Sequence, residues 1–113
     1  MSLKSSTLDG GIGLIEPGGA LIGGDETDTL RRTLADFSSR NYDKLIIDLR
    51  NVTYLNSTAI GVLVAANTSY AKKGWQLKLC GLNKSIDSVF VVTKLTLMFD
   101  VCETRKEAID GFR

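Results

Sequence analysis

The sequence predicts one α/β domain: a mainly parallel mixed sheet with an antiparallel N-terminal edge strand, in the order β-β-α-β-α-β-α-β-α. Three observations predict it. Leu45, Ile46, Ile47 and Leu49 form a short run that is apolar apart from Asp48, the pattern of a strand covered on both faces. Leu30, Leu34 and Phe37 before that run, and Ile60, Leu63, Val64 and Ala66 after it, recur at the steps of three and four that mark a helix face. Trp75 to Cys80 alternates apolar and polar residues, which is strand spacing with one better-covered face. Strands that alternate with helices pair in parallel through right-handed crossovers.

The elements follow in order. Ser5 to Gly24 holds two apolar patches, Ile12–Ile15 and Ala20–Ile22, separated by Glu16-Pro17-Gly18-Gly19. Pro-Gly is a strong turn signal, so the two patches are expected to pair as the antiparallel opening of the sheet. Asp25 to Arg40 is the first helix, with Asp25 or Thr27 as its cap and Glu26 and Asp28 suited to the positive end of its dipole. The buried strand follows the turn Asn41 to Lys44, and a polar turn then leads to a helix that begins near Asn56-Ser57-Thr58. Lys72-Lys73-Gly74 supplies a cationic last turn and a terminating glycine. Asn83 caps a third helix over Lys84 to Val92, burying Ile86, Val89 and Phe90. A last strand is expected near Phe99 to Cys102, and Thr104 with Glu107 forms a capping box for a final helix that buries Ala108, Ile109 and Phe112.

The totals narrow the function. At 113 residues the chain suits a single domain with its own core, residues 1–4 being expected to be disordered or a remnant of cloning. Fourteen basic and thirteen acidic residues are interspersed for a net charge of +1, so no basic stripe suggests a nucleic-acid partner. No apolar run is long enough for membrane insertion and no signal-peptide core is present, which makes the cytoplasm the expected location. Histidine is absent, which removes Ser-His-Asp and Cys-His catalysis and the usual histidine-containing zinc sites. No cofactor motif is present: Gly10-Gly11-Ile12-Gly13 precedes a strand instead of following one. Cys80 and Cys102 lie far apart in the chain, in no metal or redox spacing, and read as two reduced, largely buried thiols.

Asn56-Ser57-Thr58 is the most informative stretch. Asn56 or Ser57 can accept from the free N–H groups of the helix start, with Ser57 the expected cap, and capping accounts for one polar residue but not three. Asp48 at the end of the buried strand invites comparison with a phosphoacceptor aspartate, but that chemistry needs further acids after an early strand to hold magnesium. It reads as a structural residue, hydrogen-bonded near the strand end.

The segment LIIDLRNVTYLNSTAIGVLVAA resembles the heart of the STAS domain, found in bacterial anti-sigma-factor antagonists. The family pattern is a strand ending apolar-Asp-Leu, a stretch ending Asp-Ser-Ser/Thr-Gly, and a helix beginning Gly-apolar-Gly. The resemblance extends in element order over nearly the whole domain. It implies a non-enzymatic binding module whose partner is an anti-sigma factor acting as a serine/threonine kinase, with a PP2C-type phosphatase to reset it. By position Thr58 is the implied phosphorylated residue, with Ser57 second, and Asn56, Ser57, Thr58, Ala59 and Gly61 form the implied partner surface. Two departures stand out: Asn56 where the family has aspartate, and Ala59 where it has glycine, a methyl expected to crowd a close-approaching partner. Two other readings use the same turn: a non-phosphorylated STAS subunit of a transporter or lipid-trafficking complex, and an enzyme with Ser57 or Thr58 as nucleophile.

Overall fold

The computed structural model describes residues 3–112. In chain order it contains β1 (Lys4–Leu8), β2 (Ile12–Glu16), β3 (Gly18–Leu21), α1 (Asp25–Ser39), β4 (Lys44–Asp48), β5 (Asn51–Leu55), α2 (Ser57–Lys72), β6 (Gln76–Cys80), α3 (Lys84–Val92), a 3-10 turn (Leu95–Leu97), β7 (Asp100–Cys102) and α4 (Arg105–Asp110). The main sheet runs β1-β2-β4-β6-β7, and β3 pairs with β5 in a separate two-stranded ribbon. Within the main sheet only β1 and β2 are antiparallel. The mixed, mainly parallel sheet with an antiparallel N-terminal edge is the architecture that the apolar runs predict.

The opening of the chain departs from expectation. The hairpin joins β1 to β2, and its turn is Asp9-Gly10-Gly11, where both glycines take positive φ (+87° and +74°). Such values suit glycine because it has no Cβ to clash. Pro17 does not turn the chain back; it follows β2 where the chain leaves the main sheet for the ribbon, and β3 then pairs in parallel with β5. Proline, lacking an N–H, fits the place where a ladder ends. Leu3 packs on the core and Lys4 begins β1, so residues 3 and 4 belong to the domain; Met1 and Ser2 lie outside the described residues. The presumed polar turn after β4 is largely strand β5.

Alternation along the strands gives the sheet two different faces. Ile15, Ile47, Leu79 and Val101 stand in register across β2, β4, β6 and β7 and pack with Leu30, Leu34 and Phe37 of α1, Leu63 of α2 and Phe90 of α3. The helix spacing in the sequence predicts this face. Gly13 belongs to it by necessity, since a Cβ there would stand 2.8 Å from the Phe37 ring. The opposite row is Leu14, Ile46, Lys78 and Asp100, and the short helix α4 covers it with Ala108 fully buried. Here β6 differs from expectation. Leu77 through Cys80 are all buried, because β6 is an interior strand covered on both sides. Lys78, 6% exposed, pairs with Asp100 in that setting and lies over the Phe112 ring.

Candidate functional site

The parallel strands bring the starts of α1 and α2 to one end of the molecule. The ribbon sets the geometry: Leu21 and Leu55 are register partners, and the Asn56 N–H donates to the Leu21 carbonyl at 3.0 Å. Asn56 then takes extended backbone angles and its Oδ1 accepts from the Ala59 N–H at 3.0 Å. Asn56 is therefore the N-cap, and Ser57, the expected cap, is the first helical residue. This bond satisfies one of the free donors of the helix start.

With Asn56 serving the cap, both following hydroxyls are released. Ser57 and Thr58 are exposed, and among the described residues neither side chain makes a hydrogen bond. Gly61, one turn on, is exposed as well, and nothing lies within 4 Å of where its Cβ would be. Together with Ala65 and Thr68 these residues leave one side of α2 without bulk. Ala59 does not belong to that surface. It is fully buried, so its methyl fills core space beneath the turn and does not crowd what lies above it.

The electrostatics of the turn are unusual within this chain. α1, α3 and α4 each carry acidic residues in the first turn, three of them in α1, whereas α2 carries none. Positive partial charge gathers at any helix start. In α2 no acidic side chain of its own first turn offsets it.

Four nearby residues were not marked by the sequence as part of the site. Gly23 packs against Thr58: a Cβ there would touch the Thr58 Cβ at 3.5 Å, and its φ of +89° suits glycine. Thr27, fully buried, holds this loop by accepting from the Gly23 N–H at 2.9 Å; it does not cap α1, whose N-cap is Gly24 without a side-chain bond. Ile22 and Tyr54, at the end of the ribbon, are more than half exposed. The signal for Tyr54 was a large aromatic inside a segment read as a turn.

Asp48 behaves as a structural residue. It is 2% exposed; its Oδ1 accepts from the Arg50 N–H at 3.0 Å, and its Oδ2 accepts from Arg50 Nη2 at 3.1 Å and from Arg105 Nε and Nη2 at 3.3 and 3.1 Å. Arg105 also donates to Glu16 at 2.6 Å. Burial works to lower the Arg105 pKa, but Asp48 and Glu16 overcome it and the net direction is upward. Gly81 leaves room for the carboxylate, since a Cβ there would lie 2.6 Å from Oδ1. No local pattern reveals the Arg105 partnership, which spans 57 residues of sequence.

The cysteines are both unpaired, Cys80 buried and Cys102 partly so. No helix among the described residues is long and apolar enough to cross a membrane.

Comparison with known proteins accords with this geometry. The STAS domain profile matches residues 6–108. A Thermotoga maritima protein assigned as an anti-sigma factor antagonist superposes with a TM-score of 0.89 at 21% identity, over 96% of this chain and 92% of that one. The Bacillus cell fate determinant SpoIIAA, in its phosphorylated form, superposes with a TM-score of 0.77 at 15% identity, over 98% of this chain and 99% of that one. A sulfate transporter family protein from Wolinella succinogenes follows with 0.73 at 15% identity, over 94% and 88%. Identities this low speak for the fold alone, and it is the profile match across most of the sequence that places the chain in the STAS domain family.

Proposed function

We propose that the protein is an anti-sigma-factor antagonist: a bacterial cytoplasmic module that binds an anti-sigma kinase when unmodified and is released when Thr58 is phosphorylated. The observation that carries this reading is the pair of exposed, unpartnered hydroxyls on a capped helix start with no acid in its first turn. Unmodified, such a surface is small and neutral and fits inside an interface. Gly61 lets a partner backbone approach, and Ile22 and Tyr54, exposed at the end of the ribbon, offer apolar anchors. Phosphorylation adds about −1.5 to −2 charges and three acceptor oxygens. The helix start accommodates that anion, so the fold survives, while a partner seated on the turn meets bulk and charge that it must desolvate. Asn56 supports the switch as well as aspartate would, because it caps the helix without placing a negative charge beside the phosphate.

Recognition residues are Ser57, Thr58 and Gly61 with Asn56 as their support, and a PP2C-type phosphatase returns the protein to its binding form. The likeness to a sulfate transporter family protein motivates a second reading, in which the same turn docks on a transporter subunit and is never modified. Incubation with ATP and the cognate anti-sigma kinase, followed by mass spectrometric mapping, separates the two. Phosphate on Thr58, or on Ser57 as second choice, is the expected result. No incorporation, or incorporation elsewhere, overturns the switch.

A further inference from the structure

Cys80 and Cys102 are far apart in sequence and carry no redox motif, yet the fold makes them neighbours. They are register partners on the adjacent parallel strands β6 and β7. Register partners of a parallel pair point to the same face, and both thiols belong to the cluster under α4, with Ile12, Leu14, Ile46 and Ala108. Adjacent strands run about 4.8 Å apart, inside the range of about 4.4–6.8 Å that disulfides span between Cα atoms. β7 is a three-residue edge strand, free on its outer side to make the small adjustment that bond formation asks.

We propose that Cys80 and Cys102 are a latent cross-strand disulfide, a modification site that closes under a strong oxidant. Cys102 is the reactive member: it is half-buried and lines the groove at the ends of β6 and β7 beside Leu82, Phe99 and Glu103. With a hydroperoxide, the Cys102 thiolate attacks the outer oxygen and releases hydroxide or alkoxide, giving a sulfenic acid. The Cys80 sulfur then displaces hydroxide from that sulfur, and the two thiol protons leave in the water and alcohol formed. The cysteines lose two electrons and the hydroperoxide gains two. Burial pushes the Cys80 thiol up to about 12, with Asp48 adding to it, and burial also raises Cys102. The thiolate fraction is therefore small, and the pair stays reduced until the oxidant is strong or persistent. The bond would fasten the sheet edge and the lead into α4, where Arg105 meets Asp48.

The test uses the full chain, reduced and then treated with diamide, unfolded, and alkylated before intact-mass and peptide mapping. The expected product is a monomer lighter by two hydrogens, with no alkylated cysteine and one linked peptide pair holding Cys80 and Cys102. Its thermal midpoint rises by several degrees and falls back on reduction. Cys102→Ser, at the half-buried position, keeps the fold and leaves Cys80 fully alkylatable after the same treatment. Two alkylated thiols in the oxidised wild type, or only an intermolecular dimer through Cys102, overturn the proposal.

Discussion

Two polar clusters flank the segment from Asp48 to Thr58, and they are opposites. Asp48 is closed in on itself: its two oxygens take four hydrogen bonds from Arg50 and Arg105, and almost none of it meets solvent. The turn at Asn56 is open. Its cap is made once, by Asn56, and the two hydroxyls beyond it face outward with nothing to hold. A buried polar group with every site satisfied stabilises one structure, whereas an exposed one left unsatisfied is available to a partner. This difference is why the turn, and not the strand-end aspartate, is the functional candidate.

Substitutions can break each side of that contrast separately. The largest effect is expected on the closed cluster. Arg105→Ala strands a buried carboxylate with one remaining cation, and should cost on the order of 3 kcal/mol in chemical denaturation while leaving partner affinity of the folded protein unchanged. Thr58→Asp should do the reverse. Its unfolding midpoint and helical circular dichroism should match wild type, while affinity for the anti-sigma kinase drops at least about tenfold, or roughly 1.4 kcal/mol. Asn56→Ala, which removes the cap shared by fold and site, should cost about 1 kcal/mol of stability by the same denaturation assay. Gly61→Ala has the smallest and most diagnostic effect. Open space around it means the fold gains about 0.5–1 kcal/mol from a better helix former, yet calorimetric titration should register weaker binding, because the methyl would stand on the proposed partner surface.

The same contrast explains what was legible in the sequence. β4, α2 and α3 announce themselves through apolar runs, helical spacing and the caps at their starts, and Asn83 does cap α3, accepting from the Ile86 N–H at 2.9 Å. β1 was invisible because KSSTL is an edge strand with exposed side chains on both faces, so nothing alternates. β5 reads as a turn in the sequence because only Val52 and Leu55 of its five residues are buried, and among the described residues its strand partner is β3 alone. The site itself was half legible. Three consecutive polar residues at a helix start are plain in the sequence, but which of them caps depends on where β5 ends, a boundary fixed by the bond to Leu21. The places of Gly23, Ile22 and Arg105, and the strand register that sets Cys80 beside Cys102, are products of strand order, which local patterns do not encode.

In the proposed function, one hydroxyl on the open turn sets whether the partner stays bound. The most direct measurement is the affinity of the anti-sigma kinase for this protein before and after phosphorylation of Thr58, under identical salt. Tight binding of the unmodified chain, and affinity at least about tenfold lower for the phosphorylated chain with the same unfolding midpoint, is the predicted result. Equal affinity in the two states would contradict it.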